Sequence, residues 1–599
     1  MAVTYSSREQ VPEENTWNLG DLFETDEAWF AELEAVKTLT EQLAAFRGHL
    51  GDDAETLLQF LRLGDEAGRR MGRLYTYASC KGDQDTGNPR YQDMRGRAIG
   101  LSVALSSAAS FEAPEIMAID EDRLNLFYAA QPELETYQRP LYNIRRRAAH
   151  ILSPAEEQLL SAAGEMAESA MNINSILRDA DMSFPDVTDS KGSTHALTGG
   201  SYVPLMESPD RTLRENAFRT LYSRMGEFSR TLAATLDGQF KMLRFEAAAR
   251  RYESTLAAAL DATEVPESVY HSLIEAVHRN LDKMYAYVAL RKKLLGVDEL
   301  HMYDVYTPIV PDTAAEIPFS EAKETVLDAL SVLGEDYTAL LREGFEHRWI
   351  DVYENKGKRG GAYSTGSGEP HPYVLLNHKD TLNSMFTLAH EMGHALHSYH
   401  STRHQPHCTS GYVIFVAEVA STVNEVLLMR YLLAKTTDKR ERAYLINHFL
   451  DKFKGTVYRQ TMFAEFELWM GRLSESGETL TAETLSKEYA RLNAEYFGPE
   501  MAADAEIALE WTRIPHFFYN YYVFQYATGF SAAVAIAQRI LSEGESAVAD
   551  YKRFLSSGSS ADPISLLKIA GVDMSTPAPV NAALSLFGEL VEEMTALMT

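Results

Sequence analysis

Along most of the 599 residues, apolar positions recur at three- and four-residue spacing with Ala, Leu, Glu, Lys and Arg between them. That spacing predicts amphipathic helices, and so a mostly α chain. Helix starts are legible where Ser153 precedes Pro154 with Glu156 three residues on, and again at Ser208-Pro209-Asp210. Between them, residues 183–204 are rich in Ser, Thr, Gly, Asp and Pro, which predicts a loop-rich junction and a boundary near residue 200. The expected division is residues 1–200, an N-terminal helical region, and residues 201–599. The helical texture breaks once, over roughly 345–378, where short β-type runs surround glycine-rich turns and predict a small sheet. No Gly-Lys-Ser/Thr follows the glycines between Gly357 and Gly368, so they read as a hairpin connection rather than a phosphate loop.

Two of the predicted helices carry chemistry. In the first, Leu382, Met385, Ala389, Met392, Leu396 and Tyr399 keep helical spacing around His390-Glu391-Met392-Gly393-His394. Histidines four apart project from one helix face, one turn apart, close enough for both imidazoles to hold a single zinc. Glu391 then stands beside the metal as a general base for water, the arrangement of a zinc-dependent peptidase. Gly393 allows a neighbouring element to approach closely. A catalytic zinc needs a third protein ligand, and two candidates compete. His400 has the spacing of the longer His-Glu-x-x-His-x-x-Gly-x-x-His pattern, but His397 replaces the glycine that turns the chain back, so the helix is expected to carry His400 away. The other candidate is Glu418, in a second helix whose Val416, Val419, Ala420, Val423 and Leu427 are apolar while Glu418, Ser421, Thr422 and Glu425 form a polar stripe. An apolar helix that keeps two carboxylates seven residues apart faces a buried cation more readily than solvent. Glu418 is then a ligand, and Glu425 holds a ligand histidine. Eight of the seventeen histidines fall between 371 and 407; His378, His397, His404 and His407 are assigned to solvent or to supporting roles around the metal.

Composition narrows the partners. A formal charge of -30 disfavours phosphate backbones and anionic lipid, so neither nucleic acid nor membrane is an expected partner. Two cysteines are too few for a disulfide framework or a Cys-based zinc site, and fit a reducing, cytoplasmic compartment. The first twenty residues hold no apolar segment of signal-peptide type, and nowhere do eighteen apolar residues run together.

Three passages, FTLAHEMGHALHS at 386–398, FVAEVASTVNE at 415–425 and IPHFFYNYYVFQYATGF at 514–530, resemble the thimet oligopeptidase and oligoendopeptidase F family of zinc peptidases. TWNLGDLF at 16–23 and GKRGGAYS at 357–364 are similar to that family as well. The resemblance implies a helical ellipsoid of two lobes around a deep channel, with one small sheet beside the zinc helix and residues 201–599 as the catalytic domain. It implies one zinc per chain and internal cleavage of short, unfolded oligopeptides, with Pro372 to Asn377 as the edge that pairs with an extended substrate. It also implies oxyanion stabilisation from the 516–526 segment, for which His516, Tyr519, Tyr522 and Tyr526 are the candidates. Their spacing of three, three and four puts them on one face if the segment is helical. A peptide-binding protein without turnover and an aminopeptidase are the alternatives. Retention of Glu391 argues against the first, and no short acidic motif for a free α-amine supports the second.

Overall fold

The computed structural model describes residues 4–310 and 316–598. It is mostly helical, with short strands, and its contacts group into two compact units. One takes Met1–Ala148, Ala315–Tyr431 and Ile536–Gly571; the other takes Ala149–Ala314, Leu432–Ala535 and Val572–Thr599. The units interleave along the chain instead of following one cut. Both predicted helix starts are present. The Ser153 N–H donates to Glu156 at 2.9 Å, and Asp210 caps the helix Arg211–Glu227 by accepting from the Leu213 N–H at 3.1 Å. The predicted junction at 183–204 holds a two-stranded ladder, Val187–Thr188 against Thr194–His195.

In the first unit, strands β1 (Ile350–Asp351), β2 (Tyr363–Thr365) and β3 (Tyr373–Leu375) form the expected small sheet, in the order β1-β3-β2. β3 runs parallel to β1, with Ile350 opposite Val374, and antiparallel to β2, with Tyr363 opposite Leu375. The expected edge at Pro372 to Asn377 is therefore corrected: β3 is the central strand, and the edge beside it is β2. The physical reason lies in the sequence Tyr373-Val374-Leu375, which is apolar at every position and fully buried, as a strand covered on both faces must be. The N-terminal aromatic segment explains part of that burial. Trp17, Leu19, Leu22, Phe23 and Trp29 join Tyr373 and Leu375 in one core cluster, each large side chain contributing about 1.5–3 kcal/mol by leaving water. Arg348, at the start of the sheet, donates to the Thr16 carbonyl at 3.0 Å and accepts from the Asn18 N–H at 2.8 Å.

Helix α1 (Leu382–His404) follows β3 and is capped by Thr381, whose hydroxyl accepts from the Ser384 N–H. Met385, Leu388, Ala389, Met392, Ala395 and Leu396 are its buried face. Helix α2 (Ile414–Lys435) crosses α1 at Gly393. A Cβ at 393 would stand 2.6 Å from the Ser421 Cα and 2.9 Å from the Ala420 carbonyl oxygen, so the two backbones touch where only glycine fits. Asn424, fully buried, ties the helices together by donating to the Ala389 carbonyl at 3.1 Å, while the Tyr337 hydroxyl donates to its Oδ1 at 3.0 Å.

In the second unit, helix α3 (Arg459–Glu475) continues from a π-helical turn at Lys454–Tyr458. The 516–526 segment is not one helix. A 3₁₀ turn spans Pro515–Phe518, Asn520 and Tyr521 adopt left-handed φ values of 55° and 61°, and helix α4 (Phe524–Glu543) begins only after them.

Candidate metal centre

The close crossing at Gly393 sets the centre. It brings Glu418 of α2 over the face of α1 on which His390 and His394 stand one turn apart. His390 Nε2 and His394 Nε2 are 3.1 Å apart, and Glu418 Oε2 lies 3.4 Å from the first and 3.6 Å from the second. Bonds of about 2.0–2.1 Å to a tetrahedral zinc set neighbouring donors roughly 3.4 Å apart, so these three atoms have the spacing of one face of such a site. Among the described residues this is the one His/Cys/Asp/Glu group gathered tightly enough to hold a metal ion.

The surroundings orient the donors. His390 Nδ1 is 2.5 Å from Glu425 Oε1, which turns Nε2 toward His394 and Glu418. Burial works against a charge on His390, but hydrogen bonds to Glu418 and Glu425 outweigh it and lift its pKa to about 10. Burial by itself would raise the Glu418 carboxyl; the two histidines prevail and hold it well below the usual carboxylate range. Glu391 is buried between these groups, and that burial raises its pKa against the pull of His390 and His394. The polar stripe on α2 is not a solvated face, since Ser421, Thr422 and Glu425 are all buried.

The remaining histidines separate clearly. α1 continues without a turn to His404, and His400 falls outside the donor group; burial lowers its pKa to about 4, and its ring stacks at 6.4 Å from Tyr337. The assignment of His378 and His397 to solvent or supporting roles is corrected: both are core side chains. His397 stacks on Tyr412 at 3.8 Å with its pKa lowered to about 3 by burial, and His378 lies edge-on to Phe319. The sequence pattern gave no warning: His397 on the apolar face of α1 packs much as any flat ring does, and His378 lies in the loop before α1, where no periodicity applies. His404 and His407 are exposed.

His516, Tyr519, Tyr522 and Tyr526 belong to the second unit. The single helical face expected for them is corrected, because the left-handed pair Asn520–Tyr521 interrupts the helix. They come together nonetheless as a closed set of rings: His516 to Tyr519 5.5 Å, Tyr519 to Tyr522 6.4 Å, Tyr522 to Tyr526 5.2 Å and Tyr526 to His516 5.9 Å between centroids. The Tyr526 hydroxyl lies 3.5 Å from His516 Nε2, and Tyr519 is 48% exposed. Burial, helped by the charge of Arg459, lowers the His516 pKa. Sequence reasoning passed over Tyr521, the one tyrosine of the segment that points inward, and Glu467 beneath it. The available signal was a pair of carboxylates, Glu465 and Glu467, in the otherwise apolar run Phe463–Met470 of α3.

The profile of peptidase family M3 matches residues 204–586, and that of oligopeptidase F matches residues 115–184. The chain is 46% identical over 591 residues to oligopeptidase PepF of Bacillus subtilis (strain 168), covering 99% of this chain and 88% of that protein. It is 40% identical over 592 residues to group B oligopeptidase PepB of Streptococcus agalactiae serotype III (strain NEM316), covering 99% and 98%. The crystal structure of oligoendopeptidase-F from Enterococcus faecium matches it with a TM-score of 0.74 at 39% identity, over 96% of this chain and 99% of that one.

Proposed function

The chain belongs to peptidase family M3 and is a metallo-oligopeptidase, and from that premise we propose that its metal is zinc, held by His390, His394 and Glu418, and that it cleaves internal bonds of short, unfolded peptides. The observation that carries the metal assignment is the spacing of the three donor atoms, at 3.1, 3.4 and 3.6 Å. Two imidazoles and a carboxylate are a donor set suited to catalytic zinc, which keeps a position open. Bound there, zinc supplies Lewis acidity that polarises the scissile carbonyl and acidifies water.

The chain's own residues then divide the work. Glu391 accepts the proton of the attacking water on its carboxylate and returns it to the leaving amine. Glu425 fixes the tautomer and direction of His390. His516, Tyr519, Tyr522 and Tyr526 donate to the oxyanion or position the substrate, a reading supported by the family resemblance and by their gathering of polar tips. The free edge of β2 pairs with the extended peptide, supported by its having, among the described residues, no strand on its outer side. Residues 201–599 act as the catalytic segment, supported by the start of the M3 profile at 204. A cytoplasmic address is part of the proposal, supported by two cysteines that form no disulfide. Among the described residues no helix is long and apolar enough to cross a membrane.

The test joins metal analysis to kinetics on peptides blocked at both termini. Purified chain should hold one zinc, lose activity to a chelator and regain it with zinc. Full activity in metal-free chain sinks the zinc assignment, and cleavage confined to peptides with a free α-amine returns the reading to an aminopeptidase.

A further inference from the structure

Glu467 sits in the middle of α3 and is fully buried. Its Oε1 accepts from the backbone N–H of Tyr521 at 2.6 Å, and its Oε2 has no hydrogen-bond partner among the described residues. Tyr521 is one of two consecutive non-glycine residues with left-handed backbone, a conformation that costs roughly 1–2 kcal/mol per residue. Asparagine tolerates it; tyrosine does so only where its surroundings hold it.

Those surroundings are specific. The Tyr521 hydroxyl donates to Thr255 Oγ1 at 2.7 Å, and Thr255 donates in turn, through hydroxyl and backbone N–H, to Glu475 at 2.7 Å each. The Tyr521 ring packs edge-on to Tyr270 at 6.0 Å and Phe240 at 6.4 Å. Gln239 donates to Asn520 Oδ1 at 2.9 Å. Gly471, one turn beyond Glu467 on α3, leaves the room that Tyr521 fills: a Cβ there would fall 1.9 Å from the Tyr521 hydroxyl oxygen. The left-handed pair turns Tyr521 into the core while Tyr519 stays half exposed and Tyr522 partly exposed.

We infer that Glu467 is a positioning residue: by accepting the Tyr521 N–H it holds the left-handed turn that sets Tyr519 and Tyr522 against His516 and Tyr526. The inference deepens the function proposed above and rests on it only for the kinetic consequence, since the turn itself is a matter of structure. A carboxyl so buried stays protonated at neutral pH, so glutamine, equally neutral and equally able to accept, is its conservative substitute.

The experiment measures hydrogen exchange of the 515–526 amides, kcat, KM and zinc content in the full-length, zinc-loaded chain. In Glu467→Ala the amides around Tyr521 should exchange at least about tenfold faster and kcat should fall by about 10²-fold, the cost of misplacing a catalytic group by about 1 Å, with zinc content normal and KM little changed. Glu467→Gln should restore both exchange and kcat to within a few-fold of the parent. Unchanged exchange in Glu467→Ala, or a Gln variant as impaired as Ala, overturns the inference. Faster exchange with unchanged kcat upholds the positioning of the turn and removes the tyrosines from the reaction. Should Glu467→Ala fail to fold, Glu467→Met applies the same test by keeping the bulk of the side chain while removing the acceptor for the Tyr521 N–H. It should loosen the same amides, and protection equal to the parent's overturns the inference.

Discussion

Each residue of the proposed metal centre is assigned one task, so substitutions should separate binding from chemistry. Glu391→Gln keeps both histidines and Glu418, and is expected to retain zinc while losing nearly all turnover; metal analysis beside peptide hydrolysis checks this. Glu418→Ala removes a donor and should lower zinc affinity by orders of magnitude, whereas His400→Ala, at a ring stacked outside the donor group, should leave it nearly unchanged. Glu425→Ala falls between, with about a 10–100-fold loss of affinity, because His390 keeps its place on α1 but loses the partner that orients it. The second buried carboxyl, Glu467, bears on stability. Burial pushes its pKa up to about 8, against the pull of the Tyr521 N–H, from about 4.3 in an unfolded chain. Raised in the folded state, it contributes fully below pH of about 4 and loses that contribution as pH rises through 8, where a buried acid must ionise. Facing it are the phenols of Tyr270 and Tyr521, with Glu475 beyond Thr255; the charge of Arg472 acts on the Tyr521 phenol, while burial still dominates at Glu467. Glu467→Gln should therefore melt progressively higher relative to the parent from pH 6 to pH 9; a constant difference over that range contradicts the burial argument.

At the scale of elements, the crossing of α1 and α2 determines whether a centre exists at all. Two histidines on one helix are placed by helical geometry alone, but Glu418 arrives only because the backbones touch at Gly393. Gly393→Ala inserts a methyl 2.6 Å from the Ser421 Cα, where backbone rather than a flexible side chain must yield. It is expected to cost about 1–3 kcal/mol of stability and to weaken zinc binding as Glu418 is pushed outward, read by thermal melting and metal titration. The elements were legible where local pattern governs them: the caps at Ser153 and Asp210, the run of α1 through His400, and the small sheet. Two expectations failed: the edge at Pro372 to Asn377, which came from the resemblance, and the single helical face over 516–526, which came from spacing. Tyr373-Val374-Leu375 became central because strands flank it on both sides. The 516–526 run, with helical spacing throughout, broke at Asn520–Tyr521 because Glu467, Thr255 and Gln239 stabilise a turn that local preference opposes.

For the whole molecule, the proposed substrates follow from the family resemblance and the free edge of β2. Unstructured peptides of roughly five to twenty residues should be cut while stably folded proteins are spared, and a size series resolved by mass spectrometry checks it, steady cleavage of a folded protein being the contrary result. The formal charge of -30 adds that cleavage of basic peptides should slow as salt rises more than that of neutral ones. The sequence by itself determined the helical class, and it supplied the proposed site: the histidine pair with its glutamate, and Glu418 ahead of His400 as third ligand. These depend on spacing along one helix, or on a polar residue kept in an otherwise apolar helix, and both are local facts. Only the tertiary structure decided which strand forms the edge, which histidines are core, how closely α1 and α2 approach, and that a buried glutamate holds the tyrosine turn. Those depend on contacts between residues far apart in the chain: Gly393 with Ser421, Tyr363 with Leu375, Glu467 with Tyr521. No periodicity encodes such pairs, because each side of the contact is an ordinary residue until the other arrives.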